Sequence, residues 1–350
     1  MLLPAATPFE GAPSPTTIAR SFRAEVRVGQ TIQTVAWKAP ESLAVRSRGP
    51  MAPFGSEIVV ERGGVRVLLA PPGSRRSDLV IVERRLFAAR PDGYSLIQDM
   101  LQGPTDFVLE QARAGKLKLR LTRSGRRLAL RAKVRLYPND CAALRGGTAE
   151  LWLDRATLLP LRLRVRRGSF RSDSRTILRG VNVPLTPRAF RPPRSNRQRE
   201  VVDYGFVRTS PRRAARPLSY RPLLPRALPP GFRLAVAGWA RRSGPTGPEG
   251  SNPINRELFG AVYRRGFERI DVTQRLAGGR GWLSDPFGAE CQFQFEERAR
   301  VGGVPARFGT GPETTPHLYW RRGRLLYTVS GPFPKADLVA IAESLAPGGS

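Results

Sequence analysis

Apolar and polar residues alternate along short stretches of the first half of this chain. The alternation runs through residues 117–121, 128–136 and 161–166, where most of the polar partners are arginine or lysine. Successive side chains of a strand point to opposite faces of a sheet, so each stretch has one apolar face and one basic face. The pattern predicts an antiparallel sheet with one buried face and one solvated face.

Other stretches read as strands separated by turn residues such as Gly63-Gly64 and Gly323. The predicted strands are residues 22–28, 31–37, 43–46, 56–61, 65–70, 79–86, 148–154, 174–183, 201–207, 233–237, 268–274, 289–296, 317–320 and 325–329. Many short strands indicate a protein dominated by β-structure, and the 35 glycines and 33 prolines agree with many turns.

Helical spacing is confined to a few segments. Residues 94–115 predict two short helices separated by Gly103-Pro104, with Thr105 or Asp106 as the N-cap of the second. Residues 257–263 also fit a short helix, and residues 335–345 give the clearest helical pattern of the chain.

The order of these elements predicts an α+β protein with two domains. Residues 1–17 read as a disordered leader, 18–191 as a sheet domain with a short helical lid, 192–230 as a Pro/Arg-rich linker and 231–347 as a smaller α+β domain.

The formal net charge of +31 has two interpretations. The chain binds a polyanionic partner, or arginine simply occupies positions where any solvated residue is tolerated. Five of the 59 basic residues are lysine, and the arginines are spread over strands, turns and linker. The predicted basic faces lack interleaved aromatic residues, and we find no nucleic-acid-binding motif, so we do not expect nucleic acid as the partner. The Pro/Arg linker could instead contact an anionic membrane surface.

Catalysis is not predicted either. The single histidine, His317, stands beside Tyr319 in a strand pattern and reads as a packed histidine rather than a catalytic base. Cys141 and Cys291 lack metal-site spacing, so we expect no metal and no cofactor; they form either one disulfide or two free thiols. No stretch is long enough for a membrane span, and the first 17 residues lack the pattern of a signal peptide.

Two groups of motifs resemble the LolA/RseB superfamily of lipoprotein-carrier-like and RseB/MucB-like proteins. The first is AELWLD at residues 149–154 followed by LLPLR at 158–162, with VPL at 183–185 and FRPP at 190–193. The second is LPPGFRL at 228–234, YTVSG at 327–331 and DLVAIAESL at 337–345, which is similar to the small C-terminal domain of RseB/MucB-like proteins.

The resemblance implies a strongly curved antiparallel β half-barrel with a short helical lid, located outside the cytoplasm or at the membrane. It implies a non-enzymatic protein that holds a lipid or acylated protein on a concave apolar face, and a small domain that docks a membrane-bound regulatory protein. The residues that would line the face are Leu117, Leu119, Leu121, Leu128, Leu130, Val134, Leu151, Leu153, Leu161 and Leu163.

Three alternatives stay open on the sequence alone. The same leucines could form a closed core under the helices, because alternation does not reveal a void. The chain could bind a regulatory protein without lipid, or it could be a basic polyanion-binding protein. Lys38-Ala39-Pro40 also departs from the Arg-Pro pair of LolA-type carriers, which weighs against lipoprotein transport itself.

Overall fold

The fold is given by a computed structural model that describes most of the chain. The described residues are 13–40, 42–49, 57–61, 64–69, 79–84, 96–138, 145–191, 199–203, 207–240, 257–277, 295–311 and 314–347. Cys141, Cys291, residues 1–12 of the predicted leader and residues 289–294 of one predicted strand lie outside these ranges.

One large sheet contains the strands of the first domain. They are β1 (Ser21–Val28), β2 (Thr31–Lys38), β3 (Ser42–Arg48), β4 (Glu57–Glu61), β5 (Gly64–Leu69), β6 (Leu79–Arg84), β7 (Arg120–Ser124), β8 (Arg127–Leu136), β9 (Gly147–Asp154), β10 (Pro160–Arg167), β11 (Phe170–Val181) and β12 (Arg199–Asp203). Their order is β12-β6-β5-β4-β3-β2-β1-β11-β10-β9-β8-β7, and all pairs are antiparallel except β12 with β6. The sheet is open, with β12 and β7 at its two edges.

A second sheet belongs to the C-terminal domain. Its strands are β13 (Val207–Arg208), β15 (Arg233–Ala240), β16 (Leu258–Arg265), β17 (Glu268–Leu276), β18 (Phe295–Val301), β19 (Val304–Gly311), β20 (Thr314–Arg322) and β21 (Leu325–Ser330). The strands β14 (Leu223–Pro225) and β22 (Leu345–Pro347) form a separate pair. The helix α3 (Lys335–Glu343) packs on this sheet through Leu338 and Ile341, as its spacing predicts. The α+β class and the antiparallel sheets are therefore confirmed.

The Pro/Arg-rich segment is more ordered than its composition predicts. Within it, β12 extends the first sheet, β13 and β14 pair with C-terminal strands, and α2 (Pro211–Ala214) buries Ala214 completely. Among the described prolines, Pro225 ends β14 and Pro211 stands at the first position of α2, where a missing backbone N–H costs little. The described parts of this segment are thus attached to both sheets.

Two helix predictions were wrong. The predicted break at Gly103-Pro104 is absent, because α1 (Leu96–Arg113) is one helix with Pro104 inside it. The residues after Pro104 pack against both sheets, and this packing outweighs the unfavourable proline. Residues 258–263 form part of β16 rather than a helix, since an apolar run buried on both faces suits an interior strand equally well.

The two domains are in direct contact. Gly266, in the turn between β16 and β17, has a φ of +62°, and a Cβ there would lie 2.7 Å from Ile18 Cγ2 and 2.8 Å from the carbonyl oxygen of Ala19. The neighbouring Phe267 reaches into the first sheet, with ring centroids 5.4 Å from Phe22 and 5.2 Å from Trp37. This turn therefore needs glycine both for its backbone conformation and for the close approach.

Candidate functional site

The candidate site is the inner face of the first sheet, defined as the face that α1 covers. In the antiparallel register Leu130 lies opposite Leu153 of β9, and Ala132 lies opposite Leu151. Residues directly opposite share a face, so the alternation observed in the sequence becomes one continuous apolar surface. Leu163 of β10 continues that surface opposite Leu151.

The helix α1 lies on this surface through its apolar side. Phe107, Val108 and Leu109 are at most 3% exposed and pack in one cluster with Leu151 and Leu153. The part of the inner face near β1 and β2 is filled differently, by Phe267 of the C-terminal domain packed against Phe22 and Trp37. Elements from both domains therefore cover the inner face.

The structure places the ten predicted ligand residues in four environments. Leu151 and Leu153 are buried under α1, and Leu117, Leu119, Leu130, Val134 and Leu163 are half-buried against the same cluster. Leu161 lies in a separate cluster with Ala129 and Trp152, because the register shifts between Pro160 and Arg162. Leu121 and Leu128 are 64% and 51% exposed, on the β7–β8 hairpin at the sheet edge.

The opposite side of α1 is polar and meets the C-terminal sheet. Asp106, Glu110 and Arg113 are spaced four and three residues apart, which places them on one side of a helix. Thr315 Oγ1 donates a hydrogen bond of 2.9 Å to Asp106, and Thr310 Oγ1 donates one of 3.3 Å to Glu110. We call these three α1 residues and their C-terminal partners the polar seam.

Arg113 makes the largest set of contacts in the polar seam. Its guanidinium donates to Glu268 at 2.8 Å and to the carbonyl oxygens of Pro332 and Pro13 at 2.5 and 3.0 Å. The guanidinium also lies 4.5 Å from the ring centroid of Phe333. Its side chain is 1% exposed, so Arg113 is a buried charge whose terminal nitrogens are paired by the C-terminal domain and the N-terminal segment, while its Nε has no hydrogen-bond partner among the described residues.

Sequence reasoning missed the polar seam. The prediction that Asp106 or Thr105 caps a second helix was wrong, because both residues lie well inside α1 and are buried. The charged residues at positions 106, 110 and 113 could have indicated a contact with another element. A helix rarely buries a side with three charges unless a partner element satisfies them. That partner lies about 200 positions away in sequence, at Thr310 and Thr315.

Two carboxyl groups at the domain interface have raised pKa values. Burial raises the pKa of Glu110, and the hydrogen bond from Gln111 opposes this shift. Burial also raises the pKa of Asp337, at the start of α3, to about 6, against the opposing charge of Arg113. Both groups are therefore held in surroundings that disfavour their ionised forms.

The stability of the domain interface should depend on pH through Asp337. Its folded pKa of about 6 lies above the ordinary value for an aspartate, so stability is greatest below about pH 4 and is lost as the pH rises through 6. Asp337→Asn removes this ionisation, so the variant should be more stable than the parent at pH 7 and similar to it near pH 4. Urea denaturation at both pH values measures this.

Glu110→Gln provides a second test of the same effect, because the pKa of Glu110 is raised in the same direction. Its stabilisation should also be larger at pH 7 than near pH 4. An equal difference between parent and variant at both pH values would contradict the assigned ionisation.

The prediction of a packed histidine agrees with the structure. His317 is 3% exposed, its Nδ1 lies 3.0 Å from the carbonyl oxygen of Thr315, and its ring lies 5.9 Å from that of Tyr319. Within the described residues, no group of three or more His, Cys, Asp or Glu side chains could hold a metal ion. No helix in the described ranges is long and apolar enough to cross a membrane.

Comparisons with known proteins found similarity to solved structures of two groups. No protein-family model matches the chain, and no curated protein matches it. MucB in the MucA/MucB complex of Pseudomonas aeruginosa is similar over 94% of this chain and 93% of its own, with 15% identity and a TM-score of 0.31.

Shorter neighbours match about half of the chain. A LolA superfamily protein from Nitrosomonas europaea is similar over 54% of this chain and 98% of its own, with 12% identity and a TM-score of 0.22. A conserved protein from Thermus thermophilus covers 53% of this chain and 91% of its own, with 13% identity and a TM-score of 0.34. MucB and the LolA superfamily are the groups that the sequence motifs resemble, and likeness at such TM-scores assigns no function.

Proposed function

We propose that this chain is a non-enzymatic binding protein that holds an apolar chain, such as the acyl chain of a lipid or lipoprotein, on the inner face of its first sheet. In this proposal α1 is a movable cover that the C-terminal domain holds closed. The observation that carries the proposal is the two-sided packing of α1, apolar towards the inner face and polar towards the C-terminal domain. The motif resemblance supports the same function and a location outside the cytoplasm.

The polar seam favours a cover that can be released. Buried charged groups lose their hydration, and hydrogen bonds to protein partners only partly offset this loss. Asp106, Glu110 and Arg113 therefore hold α1 less strongly than an apolar side of the same area would. The apolar side leaves the inner face only if another apolar surface replaces it, and an acyl chain supplies such a surface at about 0.8 kcal/mol per buried methylene.

Under this proposal the described structure is the closed state. A small cavity of about 10 Å³ lies between Phe22, Leu159, Leu178 and Phe267, which is room for about one water molecule. A hydrocarbon chain needs far more space, and α1 occupies the surface over Leu151 and Leu153, so binding there requires α1 to move away. The two exposed leucines, Leu121 and Leu128, extend the inner face beyond the region that α1 covers.

A reversible crosslink between α1 and β20 tests the proposal. Asp106 and Thr315 are in hydrogen-bond contact, so Asp106→Cys with Thr315→Cys places two thiols close together, in a chain where Cys141 and Cys291 are replaced by serine. The reduced, delipidated protein should bind a dansyl-labelled fatty acid saturably, and the oxidised protein should not. Fluorescence titration measures both states, and Asp106→Cys alone, treated identically, is the control.

Two outcomes would contradict the proposal. Equal binding by the oxidised and reduced forms would show that α1 does not cover the site. Absence of saturable binding in both forms, together with no lipid in organic extracts of the purified protein, would remove the apolar ligand altogether.

A regulatory protein partner is the second candidate, and the edge of the first sheet favours it. β7 is the last strand of the described sheet, and its hairpin with β8 exposes Leu121 and Leu128. An exposed strand edge with apolar side chains can accept an added strand from a partner. MucB was crystallised in complex with MucA(peri). For this chain we propose a membrane-bound regulatory protein as the partner, which the motif resemblance implies.

A further inference from the structure

The other face of the first sheet, opposite α1, is strongly basic. Register places Arg131, Lys133 and Arg135 of β8 on this face, together with Arg162, Arg164 and Arg166 of β10. We call this surface, on β8 to β11, the basic face. It is the solvated side of the alternating pattern, and it is physically separate from the inner face that the proposed function uses.

Carboxylates on the basic face neutralise only part of its charge. Arg131 pairs with Glu150 at 2.8 Å, while Arg162 and Arg164 share Asp173 at 2.5 and 3.3 Å. The hydrogen bond from Arg162 is the main cause that lowers the pKa of Asp173 to about 2, so this carboxylate stays ionised. One carboxylate shared by several arginines leaves an excess of positive charge that is open to solvent.

Two exposed aromatic residues lie at one end of the sheet that carries the basic face. Leu136 of β8 and Arg167 of β10 both pair with Gly147, so β8 and β10 finish at the same end of the sheet. Tyr137 follows β8 and is 40% exposed, and Phe170 begins β11 and is 59% exposed.

Basic residues lie close to both aromatics along the strands, although Phe170 pairs with Arg167 and so points to the other side of the hairpin from Arg166 and Arg171. The guanidinium of Arg135 lies 5.3 Å from the ring centroid of Tyr137. Arg166 and Arg171 lie opposite each other in the β10–β11 hairpin, just before and just after its tip. An end of the sheet that exposes aromatic rings as well as arginines matches the interface of an anionic bilayer, where rings enter the headgroup region and guanidinium groups bind phosphates.

We propose that this end of the first sheet docks on an anionic lipid surface, with Phe170 inserted among the headgroups and the neighbouring arginines bound to lipid phosphates. Nucleic acid fits less well, because base stacking requires accessible aromatic rings within the basic groove. Trp152, the aromatic residue in the middle of the basic face, is 8% exposed and lies beneath three arginines, with guanidinium-to-ring distances of 5.2 to 5.5 Å.

Vesicle sedimentation of the full chain tests this proposal. The protein should bind vesicles of phosphatidylcholine mixed with phosphatidylglycerol, bind pure phosphatidylcholine weakly, and lose binding as sodium chloride rises. Arg166→Gln with Arg171→Gln should weaken binding to the mixed vesicles roughly 30-fold, since each well-placed arginine contributes roughly fivefold. Phe170→Ser should weaken it roughly tenfold by removing the inserted ring.

The matched control is Arg212→Gln with Arg213→Gln, two exposed arginines on α2 that change the net charge equally. This control should bind mixed vesicles like the parent. Equal loss in the control, or full binding by the Arg166/Arg171 variant, would overturn the proposal. Stronger binding to a DNA duplex than to the mixed vesicles, weakened by the same Arg166/Arg171 variant, would assign the surface to nucleic acid instead.

Discussion

Replacement of Arg113 by alanine should lower the free energy of unfolding by about 3 kcal/mol. The guanidinium is buried, and it satisfies Glu268 and the carbonyl oxygens of Pro332 and Pro13. Its removal leaves these acceptors with fewer partners in a site that excludes water, and it also removes the contact with the ring of Phe333. Urea denaturation of the full chain at pH 7 measures the loss.

The expected loss of stability lies near the lower end of the range for a broken buried ion pair, because Glu268 keeps a second partner. Arg265 Nε donates a hydrogen bond of 2.8 Å to the other carboxylate oxygen. Arg212→Ala, at an exposed position on α2, is the matched control and should change stability by less than about 0.5 kcal/mol. A loss for Arg113→Ala no larger than that of the control would show that the polar seam does not stabilise the fold.

Leu153→Ala should lower the free energy of unfolding by about 3 kcal/mol as well, whereas Leu121→Ala should cost less than about 0.5 kcal/mol. Leu153 is 0% exposed beneath α1, so its truncation leaves a cavity between the helix and the sheet. Leu121 is 64% exposed at the sheet edge, so its truncation leaves no cavity. Urea denaturation of both variants gives the comparison.

The same pair of variants separates packing from ligand binding. Under the proposed function, Leu121→Ala should weaken fatty-acid binding while stability is unchanged, because the side chain extends the inner face beyond α1. Similar stability losses for the two variants would mean that the edge near β7 is packed more tightly than the exposure of Leu121 indicates. Unchanged fatty-acid affinity in Leu121→Ala would remove this residue from the proposed binding surface.

The strands and their faces could be predicted from the sequence because alternation is a local property. The stretches around Leu130, Leu151 and Leu163 read correctly, and their opposite positions in the sheet follow from antiparallel pairing. Leu161 shows where this reasoning stops, since a single register irregularity beside Pro160 moved it into another cluster. A bulge of this kind depends on strand pairing, which alternation does not specify.

The helix α1 and the polar seam could not be predicted because tertiary contacts decide them. Local propensity favours a break at Pro104, and the packing of Phe107 and Leu109 overrides it. The partners of Asp106 and Glu110 come from strands far along the chain, so the sequence indicated only a capping role for Asp106. The depth of the inner face could not be predicted either, because Phe267 of the C-terminal domain fills part of that face.

The placement of α1 between the two sheets has a consequence for how this protein can be inherited or engineered. The helix is encoded within the first domain, yet one side of its described part is matched to the second. Recombination that exchanges one domain for a homologous one would leave three charged side chains facing an unmatched neighbour. Viable chimeras must therefore carry α1 together with its partners on β17, β19 and β20 and with Pro332 and Phe333, so the unit of exchange crosses the domain boundary.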